Sequence, residues 1–600
     1  MSLNMYRPSV STSESNRNIV NLLSSRQKDA NKAKKVEQNC QFTEPLIRRL
    51  GLEKELEGHQ GCVNCLEWSS DGRVLASGSD DTHVHLWDPF LHKCLNIVKT
   101  SHIGNIFSVK FLGDGSLIAT GAGDCRVIVK SVDDTKANSP LIDCSCHLNR
   151  VKRLAKCPEQ PLLFWSASED GLVIQYDIRE SHKCNVNSKV FIDRSRSNEL
   201  KCIAINPTKP HLMAVGANDC YVRMYDRRMV KTVKYRNYRQ STLNNPETIG
   251  VQYFAPGHLA KDNVKELGNK YAATYVAFNA SGSELLVNMG GEHIYLFDIN
   301  NQRKVDELKI PEEFKDEKLG KRKINSELFA NLCIEKGLKL FQRNWIGDMY
   351  QAARYYLLAI QQKPEQPKLY LSLINCLVHL KWLKETESWL SSYKKKFPEE
   401  DPKLTQIIEE AIEGMKSTIN SNPNESSNNN NFGQFCENYE FISDVEKELR
   451  QESRDFELRF VGHCNTTTDI KEANFLGEDG NFVCAGSDDG LIFIWDRKST
   501  EVLTALTGDT SIVNCVQPHP SACFLASSGI DPAVKLWAPK KEDGIKNPHK
   551  ISEIPKMIEV NQMRMSMDPF ETMMVNMGYR VRYGNADNSP NSAQTICRAS

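Results

Sequence analysis

A short repeated unit constrains the fold of this 600-residue chain more than any other feature. In six places an aspartate precedes a short strand-like run, and the sixth residue after it is aromatic or lysine. A seventh unit ends at Phe297 and has Gly291 at the aspartate position. Units that recur at intervals of about 40–45 residues are typical of rings built from small antiparallel sheets. The six complete units are Asp81 with Trp87, Asp124 with Lys130, Asp170 with Tyr176, Asp219 with Tyr225, Asp489 with Trp495 and Asp531 with Trp537.

Two sequence pairs identify the type of unit. Gly58-His59 precedes the first unit, which ends in Trp87-Asp88, and Gly462-His463 precedes the unit that ends in Trp495-Asp496. These pairs resemble the WD40 family, and the resemblance implies a mainly β fold, a seven-bladed WD40 β-propeller. It also implies that histidine, a strand hydroxyl, the turn aspartate and Trp form a buried hydrogen-bonded set in each blade. The structural blade residues implied are His59, Asp81, Trp87, Asp124, Asp170, Asp219, His463, Asp489, Trp495, Asp531 and Trp537.

The chain before the first unit predicts how the ring closes. Residues 52–57 are placed to form the outer strand of the last blade. Pairing between the two ends of the repeat array closes the ring and leaves only short, protected strand edges.

The regular interval between units is interrupted twice. The extra residues between Tyr225 and Phe297 are polar and predict a long loop. The extra residues between Phe297 and Trp495 are numerous enough to form a domain. Helical periodicity appears in this second insertion, and Pro364 and Pro398 are one tetratricopeptide period apart. The pattern predicts an inserted all-α tetratricopeptide-repeat module of two repeats and a capping helix.

These observations predict six segments. A polar, possible helical arm covers 1–44, and a tail with a short Met-rich helix at 568–577 covers 541–600. Blades 1–5 and the closing strand of blade 7 occupy 45–310, and blades 6–7 occupy 456–540. The tetratricopeptide repeats occupy 311–419, and an Asn/Ser-rich linker with a re-entry segment occupies 420–455.

Composition excludes several functional classes. The chain has 76 basic and 76 acidic side chains, so it lacks the basic footprint of a direct nucleic-acid binder. No apolar run is long enough to predict a membrane span or a signal peptide. The 19 scattered cysteines favour a reducing compartment, and we expect a cytoplasmic and nuclear protein. The basic runs at 321–323 and 394–396 are interpreted as solvated helix faces, with nuclear import as the alternative.

The residues that could carry chemistry have a structural interpretation. Recurring His, Ser and Asp residues are explained by the blade sets, because a catalytic triad is defined by geometry and role. The pairs Cys62/Cys65 and Cys144/Cys146 lack a second pair at zinc-ligand spacing, so we interpret them as buried thiols. No glycine-rich phosphate loop is present. We therefore expect no enzyme activity, no cofactor and no metal.

Two consecutive units end in aromatic-Asp-x-Arg. Asp177 with Arg179 and Asp226 with Arg228 fall on the same side of their strands, so each arginine can pair with its own carboxylate. These boxes resemble those of substrate receptors of cullin-4 ubiquitin ligases, which bind the damaged-DNA-binding adaptor. The resemblance implies that these four residues are candidate adaptor-binding residues. The alternative is that each pair only stabilises its own blade.

The combination of features resembles the adipose family of WD40 and tetratricopeptide proteins. The similarity includes residues 47–52 (IRRLGL), 61–68 (GCVNCLEW) and the tail from Asp568-Pro569 to Tyr579. Members are WD40 substrate receptors of cullin-4 ubiquitin ligases, linked to chromatin and to restraint of fat storage. The resemblance implies as partners the cullin-4 adaptor and protein substrates, and also histones or histone deacetylase complexes.

Two other functions remain open from the sequence. The chain could be a WD40 scaffold or co-repressor with no ligase attached. A co-chaperone would need Lys and Asn on the first repeat helix to clamp an acidic peptide terminus, and Ile334 and Leu338 occupy the matching positions.

Overall fold

The computed structural model describes residues 42–133, 140–180, 188–234, 248–262, 271–300, 326–398, 402–421, 443–477 and 480–566, with single residues 24, 27, 182, 184 and 308. Seven antiparallel sheets of four or five strands follow one another along the chain. A helical group interrupts them, so the mainly β propeller with an inserted helical module is confirmed. Within the described residues, no helix is both long and apolar enough to cross a bilayer.

The chain enters the ring through a short helix and the closing strand. Helix α1 is Glu44–Arg48 and strand β1 is Leu50–Glu57. Blades 1 to 4 then follow, and within each blade the first four strands in the sheet are in the order in which they occur along the chain. Their strands are β2 (Val63–Trp68), β3 (Leu75–Ser79), β4 (His83–Asp88) and β5 (Lys93–Lys99) in blade 1; β6 (Ile106–Leu112), β7 (Leu117–Ala122), β8 (Val127–Ser131) and β9 (Ile142–Cys144) in blade 2; β10 (Val151–Cys157), β11 (Gln160–Ser168), β12 (Leu172–Asp177) and β13 (Lys189–Asp193) in blade 3; and β14 (Leu200–Ile205), β15 (Leu212–Ala217), β16 (Val222–Asp226) and β18 (Gln252–Phe254) in blade 4.

Two further elements lie within this run. Strand β17 (Val233–Lys234) adds a fifth strand to blade 3, and helix α2 (Gly257–Asp262) follows blade 4. The remaining strands are β19 (Ala272–Phe278), β20 (Glu284–Gly290), β21 (Ile294–Asp298) and β22 (Leu458–Phe460) in blade 5; β23 (Ala473–Leu476), β24 (Phe482–Gly486), β25 (Leu491–Asp496) and β26 (Val502–Thr507) in blade 6; and β27 (Val513–Pro518), β28 (Leu525–Gly529) and β29 (Ala533–Pro539) in blade 7.

Strand β1 completes blade 7, which confirms the predicted closure. It pairs antiparallel with β29, from Leu50 opposite Pro539 to Glu57 opposite Ala533. Leu52 lies opposite Trp537, so the closing strand covers the tryptophan of the last blade. The two ends of the repeat array are therefore held together by one hydrogen-bonded ladder.

The apolar core lies between neighbouring blades. Val84 and Leu86 of blade 1 pack in one cluster with Val109 and Ile118 of blade 2, and all four are almost fully buried. Burial of such side chains stabilises by about 1.5–3 kcal/mol each. Blades 1, 2, 3 and 7 each contribute to two such clusters, so these blades stabilise their neighbours on both sides.

The helical module is inserted within blade 5, and this corrects the predicted position between blades 5 and 6. Strands β19 to β21 precede the module, whereas the outer strand β22 follows it and pairs with β21 through Leu296 and Leu458. The repeat spacing did not reveal this because a fourth strand of three residues carries no Asp or Trp signature. The segment predicted as 456–540 therefore also supplies the last strand of blade 5.

Five helices form the tetratricopeptide module. They are α3 (Ser326–Arg343), α4 (Asp348–Gln362), α5 (Pro367–His379), α6 (Leu383–Lys396) and α7 (Pro402–Ser421), and they belong to a compact unit distinct from the propeller. Gly337 allows α3 and α4 to approach, because a Cβ there would meet the Tyr356 ring at 3.0 Å. Ala352 and Ala359 on α4 are fully buried. Two helical pairs and a final helix agree with the predicted repeats and cap.

Four aromatic residues of the helical module, Trp345, Tyr355, Trp382 and Trp389, are divided between core and surface. Trp382 and Trp389 are buried, and Trp389 Nε1 donates to Leu308 O at 2.7 Å. Trp345 is only partly buried and lies under the Arg343 guanidinium, 4.3 Å from its ring centroid. Tyr355 is also partly buried, so Trp345 and Tyr355 remain accessible, whereas the other two aromatics serve the core.

Several predicted segments lie outside the described residues. They are nearly all of the arm 1–44, residues 422–431 of the linker and the Met-rich helix at 568–577. A helix that the sequence did not predict, α9 (Ile554–Ser566), precedes the Met-rich segment. Asn561, Gln562 and Met565 form its buried face.

The re-entry helix α8 (Asp444–Gln451) is attached to blade 4 through one buried carboxylate. Glu446 accepts hydrogen bonds from Arg194 Nη1 at 2.6 Å and Nη2 at 2.8 Å. It also accepts from Arg450 Nε and Nη2 at 3.0 and 2.7 Å, and Arg223 Nη2 lies 3.5 Å away. Arg223 is itself paired with Asp219 at 2.5 Å. A cluster of three arginines and two carboxylates thus fastens the returning chain.

The charges of this cluster determine the protonation of Glu446. Burial alone raises the pKa of a carboxyl group. Hydrogen bonds from Arg194 and the positive charges of Arg223 and Arg450 outweigh burial and lower the pKa of Glu446 to about 2. Since this folded-state pKa is below the ordinary value of 4.5, the cluster stabilises the fold above that pH and less as the pH falls toward 2.

We expect Glu446→Gln to destabilise the propeller by about 3 kcal/mol at pH 7, because it removes the negative charge from a buried ion-pair cluster. Glu448→Gln, on the exposed side of the same helix, is the matched control and should leave stability unchanged. Denaturant unfolding at several pH values measures both. The difference between wild type and Glu446→Gln should shrink between pH 4.5 and 2, and a pH-independent difference would contradict the electrostatic argument.

Replacing residues 312–432 with a short Gly/Ser linker should leave a folded propeller. The deletion retains β21, α8 and β22, and loop closure costs only about 0.6 kcal/mol per doubling of loop length. Circular dichroism and the melting temperature (Tm) of the deleted chain test this. Loss of cooperative unfolding would show that the propeller needs the helical module.

Candidate protein-interaction rim

The third strand of each blade joins two rims of the ring. In blade 3, β12 begins beside the turn aspartate Asp170 and ends at Asp177, and in blade 4, β16 begins near Asp219 and ends at Asp226. Six residues of strand span about 20 Å at about 3.3 Å per residue. The turn aspartates therefore define one rim. Asp177, Arg179, Asp226 and Arg228 lie on the opposite one, and we call these four residues the arginine rim.

Blade 1 forms the predicted hydrogen-bonded set. His59 Nδ1 lies 2.8 Å from Asp81 Oδ2, and its Nε2 lies 2.8 Å from Ser77 Oγ. Trp87 Nε1 donates to the same hydroxyl at 2.8 Å. Burial lowers the pKa of His59, so the neutral ring donates to Asp81 and accepts from Ser77.

Blades 2 and 3 contain the histidine, hydroxyl and aspartate members of this set, around histidines that the sequence analysis missed. His102 contacts Asp124 and Thr120 at 3.0 and 2.9 Å, and His147 contacts Asp170 at 2.9 Å. Neither histidine follows a glycine, so the Gly-His signature does not identify them. Their distance along the chain was the available signal, because all three histidines precede their aspartate by 22 or 23 residues.

Blade 6 departs from the predicted set, which corrects the role assigned to His463. His463 Nε2 lies 3.0 Å from Asn288 Oδ1 of blade 5, and Trp495 Nε1 donates to Val461 O at 2.9 Å. Asp489 instead accepts from the backbone N–H of Leu491 at 3.2 Å. The physical reason is register, since His463 precedes Asp489 by four residues more than His59 precedes Asp81.

Blades 4 and 7 replace the histidine with other donors. Asp219 is paired with Arg223, and Asp531 accepts from the Thr510 backbone N–H at 3.1 Å and from its hydroxyl at 2.5 Å. Trp537 Nε1 keeps the family contact and donates to Ser527 Oγ at 2.8 Å. These carboxylates are structural, because a buried or half-buried acid is stable only when its oxygens have partners.

The blade sets are not arranged for catalysis. Ser77 and Ser166 are fully buried, and their hydroxyls are already bonded to His59 and His147. A nucleophile must reach its substrate, and these oxygens cannot. The recurring His-Ser-Asp groups therefore hold the strands of a blade together.

The arginine rim presents two guanidinium groups in the same geometry. Arg179 Nε and Nη2 donate to Asp177 Oδ1 and Oδ2 at 2.9 and 2.7 Å. Arg228 repeats the arrangement on Asp226 at 3.0 and 2.6 Å. Each aspartate also accepts from the backbone N–H of its arginine at 3.0 Å, which fixes the turn. Both guanidiniums are therefore preorganised by bidentate pairing.

The arginines of these pairs are exposed, whereas the aspartates are covered. The arginine side chains are 68% and 69% exposed, whereas the aspartates are 13% and 11% exposed. The Arg228 hydrogen bonds lower the pKa of Asp226 to about 2, and Arg179 likewise lowers the pKa of Asp177. Each carboxylate is thus a fixed anchor, and each guanidinium keeps most of its surface available to a partner.

Arg227 connects the two boxes. Its guanidinium lies 4.1 Å above the Trp165 ring of blade 3, while its Nη1 donates to Pro210 O at 2.6 Å. Its Nη2 donates to Gln160 Oε1 of blade 3 at 3.1 Å. The ends of blades 3 and 4 are therefore joined where Arg179 and Arg228 emerge.

Blade 6 has Lys498 at the position of Arg179 and Arg228, and its arginine, Arg497, stands one position earlier. Arg497 is paired with Glu284 of blade 5, and its side chain is 15% exposed. The Lys498 that follows is exposed but cannot make a planar bidentate pair. Of these three boxes, those of blades 3 and 4 present accessible guanidiniums.

One cluster could hold a metal ion, and the sequence analysis did not expect it. The ligand atoms of Cys144, Cys146, His182 and Cys184 all lie within 4.8 Å of one another. Cys144 and Cys146 are buried thiols, as predicted, and the His182 and Cys184 pair beside them comes from blade 3. In a second group, His59 and Asp81 belong to the blade 1 hydrogen-bonded set, and His85 stacks on the His59 ring with the centroids 3.8 Å apart.

Buried and exposed pairs should respond differently to mutation. Asp170→Ala removes a carboxylate that accepts from His147 Nδ1 and the Leu148 backbone N–H, and should destabilise by about 2–3 kcal/mol. Arg179→Ala/Arg228→Ala should lower Tm less than Asp170→Ala, since both guanidiniums face solvent and each aspartate keeps its backbone N–H bond. Thermal unfolding compares them, and a large loss of Tm in the double variant would make the arginine rim structural.

A family model describing the WD domain, G-beta repeat, matches residues 51–88, 93–129, 455–496 and 500–538. The matches cover strands of blades 1, 2, 6 and 7, and the match at 455–496 also includes β22, the fourth strand of blade 5. Blades 3 and 4 and the first three strands of blade 5 are present in the structure, although the family model does not match them.

Similar proteins extend over nearly the whole chain. WD and tetratricopeptide repeats protein 1 of Homo sapiens is 36% identical over 693 residues, covering 97% of this chain and 99% of its own length. Protein ALTERED SEED GERMINATION 2 of Arabidopsis thaliana is 28% identical over 744 residues, covering 94% and 97%. DDB1- and CUL4-associated factor 6 of Homo sapiens is 32% identical over 270 residues, covering 44% of this chain and 30% of that protein.

Proposed function

Because this chain belongs to the family of WD and tetratricopeptide repeats protein 1, a WD-repeat scaffold, we propose that it is a substrate receptor of a cullin-4 ubiquitin ligase. In this proposal the chain catalyses no reaction. It binds the ligase adaptor through the arginine rim and leaves its other surfaces for the protein to be ubiquitinated.

The observation that carries the proposal is the pair of exposed, preorganised guanidiniums on adjacent blades. A guanidinium already held by a carboxylate loses little conformational entropy when a partner binds. Arginine is enriched among the residues that dominate protein interfaces. Met229, 72% exposed and next to Arg228, adds apolar surface at the same place.

The similarity to DDB1- and CUL4-associated factor 6 supports the identity of the partner. That protein's name associates it with DDB1 and CUL4, and it resembles a part of this chain at 32% identity. We propose the DDB1 adaptor as the protein that binds the arginine rim, with the cytoplasm and nucleus as the places of action.

Binding of the purified adaptor to the full chain tests the proposal. Arg179→Ala and Arg228→Ala should each weaken adaptor affinity by about tenfold or more, and the double variant by about 100-fold, as expected for interface hot spots. The matched control is Arg150→Ala, a 57% exposed arginine on the opposite rim, which should bind normally. Wild-type protein that fails to bind the adaptor would instead favour a scaffold or co-repressor without ligase attachment.

A further inference from the structure

Four potential metal ligands converge where the outer edges of blades 2 and 3 meet. Cys144 ends β9, the outer strand of blade 2, and Cys146 lies in the connection to blade 3. His182 and Cys184 belong to the connection between β12 and β13 of blade 3. The Cys-x-Cys pair of the blade 2 edge therefore faces the His-x-Cys pair of blade 3.

We propose that Cys144, Cys146, His182 and Cys184 form a structural Cys₃His zinc site that joins blade 2 to blade 3. Zinc in structural sites has four ligands in a tetrahedron and favours combinations of Cys and His such as this one. This inference is independent of adaptor binding.

The dimensions of the cluster fit a zinc ion. With Zn–S distances of about 2.3 Å, neighbouring ligand atoms of a tetrahedron are about 3.8 Å apart. The four ligand atoms lie within 4.8 Å of one another, and His182 Nε2 is 3.5 Å from Cys184 Sγ. Small side-chain movements therefore complete the coordination.

Hydroxyl groups around the cluster suit thiolate ligands. Ser188 Oγ lies 2.9 Å from Cys146 Sγ, and Tyr176 Oη lies 3.6 Å from Cys144 Sγ. Hydroxyls that donate to a zinc-bound sulfur orient it and stabilise its negative charge. On binding, the three thiols release their protons to solvent, and Cys184 loses the hydrogen bond that it now donates to Asp143 O at 3.4 Å.

The site is connected to the polar set inside blade 3. Ser166 Oγ lies 3.4 Å from Tyr176 Oη, and the same serine contacts His147 Nε2 at 2.6 Å. Tyr176 therefore links Cys144 to the buried set of its blade. A metal ion at this point fixes the connection that begins directly after Asp177 and Arg179, in addition to fastening two blades.

The chain length of this connection distinguishes blade 3 from blade 1. In blade 1, residues 89–92 join the third strand to the fourth, whereas in blade 3 residues 178–188 do so. The longer connection contains the His182 and Cys184 pair, and Cys184 reaches the backbone of Asp143 in blade 2. If Cys144 and Cys146 were only buried core residues, nothing would require His182 of blade 3 to lie beside them.

Metal analysis of the full chain, purified under reducing conditions without chelator, tests the proposal. We expect about one zinc ion per chain in the wild type and less than about 0.1 in Cys144→Ser/Cys184→Ser. Cys125→Ser, which replaces a partly buried blade 2 thiol outside the cluster, is the matched control and should keep its zinc. Equal loss in the control would overturn the assignment.

A second measurement applies if the cysteine variant does not fold. Cobalt(II) added to chelator-stripped wild-type protein should give the absorption of a tetrahedral site with thiolate-to-cobalt charge transfer, and added zinc should abolish it. Thermal unfolding of the wild type should shift to lower temperature after stripping and recover with zinc. A metal-free wild type without the cobalt spectrum would refute the site, as would a disulfide between these cysteines under reducing purification.

Discussion

The antiparallel ladder between β1 and β29 is the interaction on which the propeller depends. Each blade is stabilised mainly by its neighbours, so a ring opened at one point exposes two apolar blade faces to water. The ladder joins residues near the beginning of the described chain to residues after the last repeat, and Leu52 covers Trp537 at the junction. The other blades form from consecutive stretches of chain, apart from blade 5 and from the fifth strand of blade 3, β17, which lies between β16 and β18 of blade 4.

Blade 5 shows how the ring accommodates an insertion. Its fourth strand arrives only after the helical module, and the returning chain is fastened to blade 4 before it completes blade 5. Glu446 achieves this with three arginines, at the position where blades 1 to 3 use a histidine and an aspartate. In blade 4, an ion-pair cluster with helix α8 therefore takes the place of the hydrogen-bonded histidine and aspartate. This cluster couples the re-entry segment to the ring.

The distribution of charge separates structural from interaction surfaces. The carboxylate side chains of Asp170 and Glu446 are 5% and 1% exposed and have hydrogen-bond partners, and they stabilise the blades. Asp177 and Asp226 are also covered, but their arginine partners face solvent. Because each aspartate already holds its arginine in one orientation, the guanidinium can bind another protein without rearrangement. The proposed zinc site would hold the same part of blade 3 from its outer edge.

The sequence by itself determined the repeat architecture, ring closure, the helical insertion and the two Asp-x-Arg boxes. These features depend on local signals, namely turn aspartates, strand alternation and helical periodicity, which are written within a few residues. It misplaced the insertion and the partner of His463, because short outer strands and register shifts leave no local pattern. Only the tertiary structure brought Glu446 to Arg194 and Arg223, and Cys144 and Cys146 to His182 and Cys184. Those contacts join residues from different blades or from either side of the insertion, and their proximity is decided by how strands pair and blades pack.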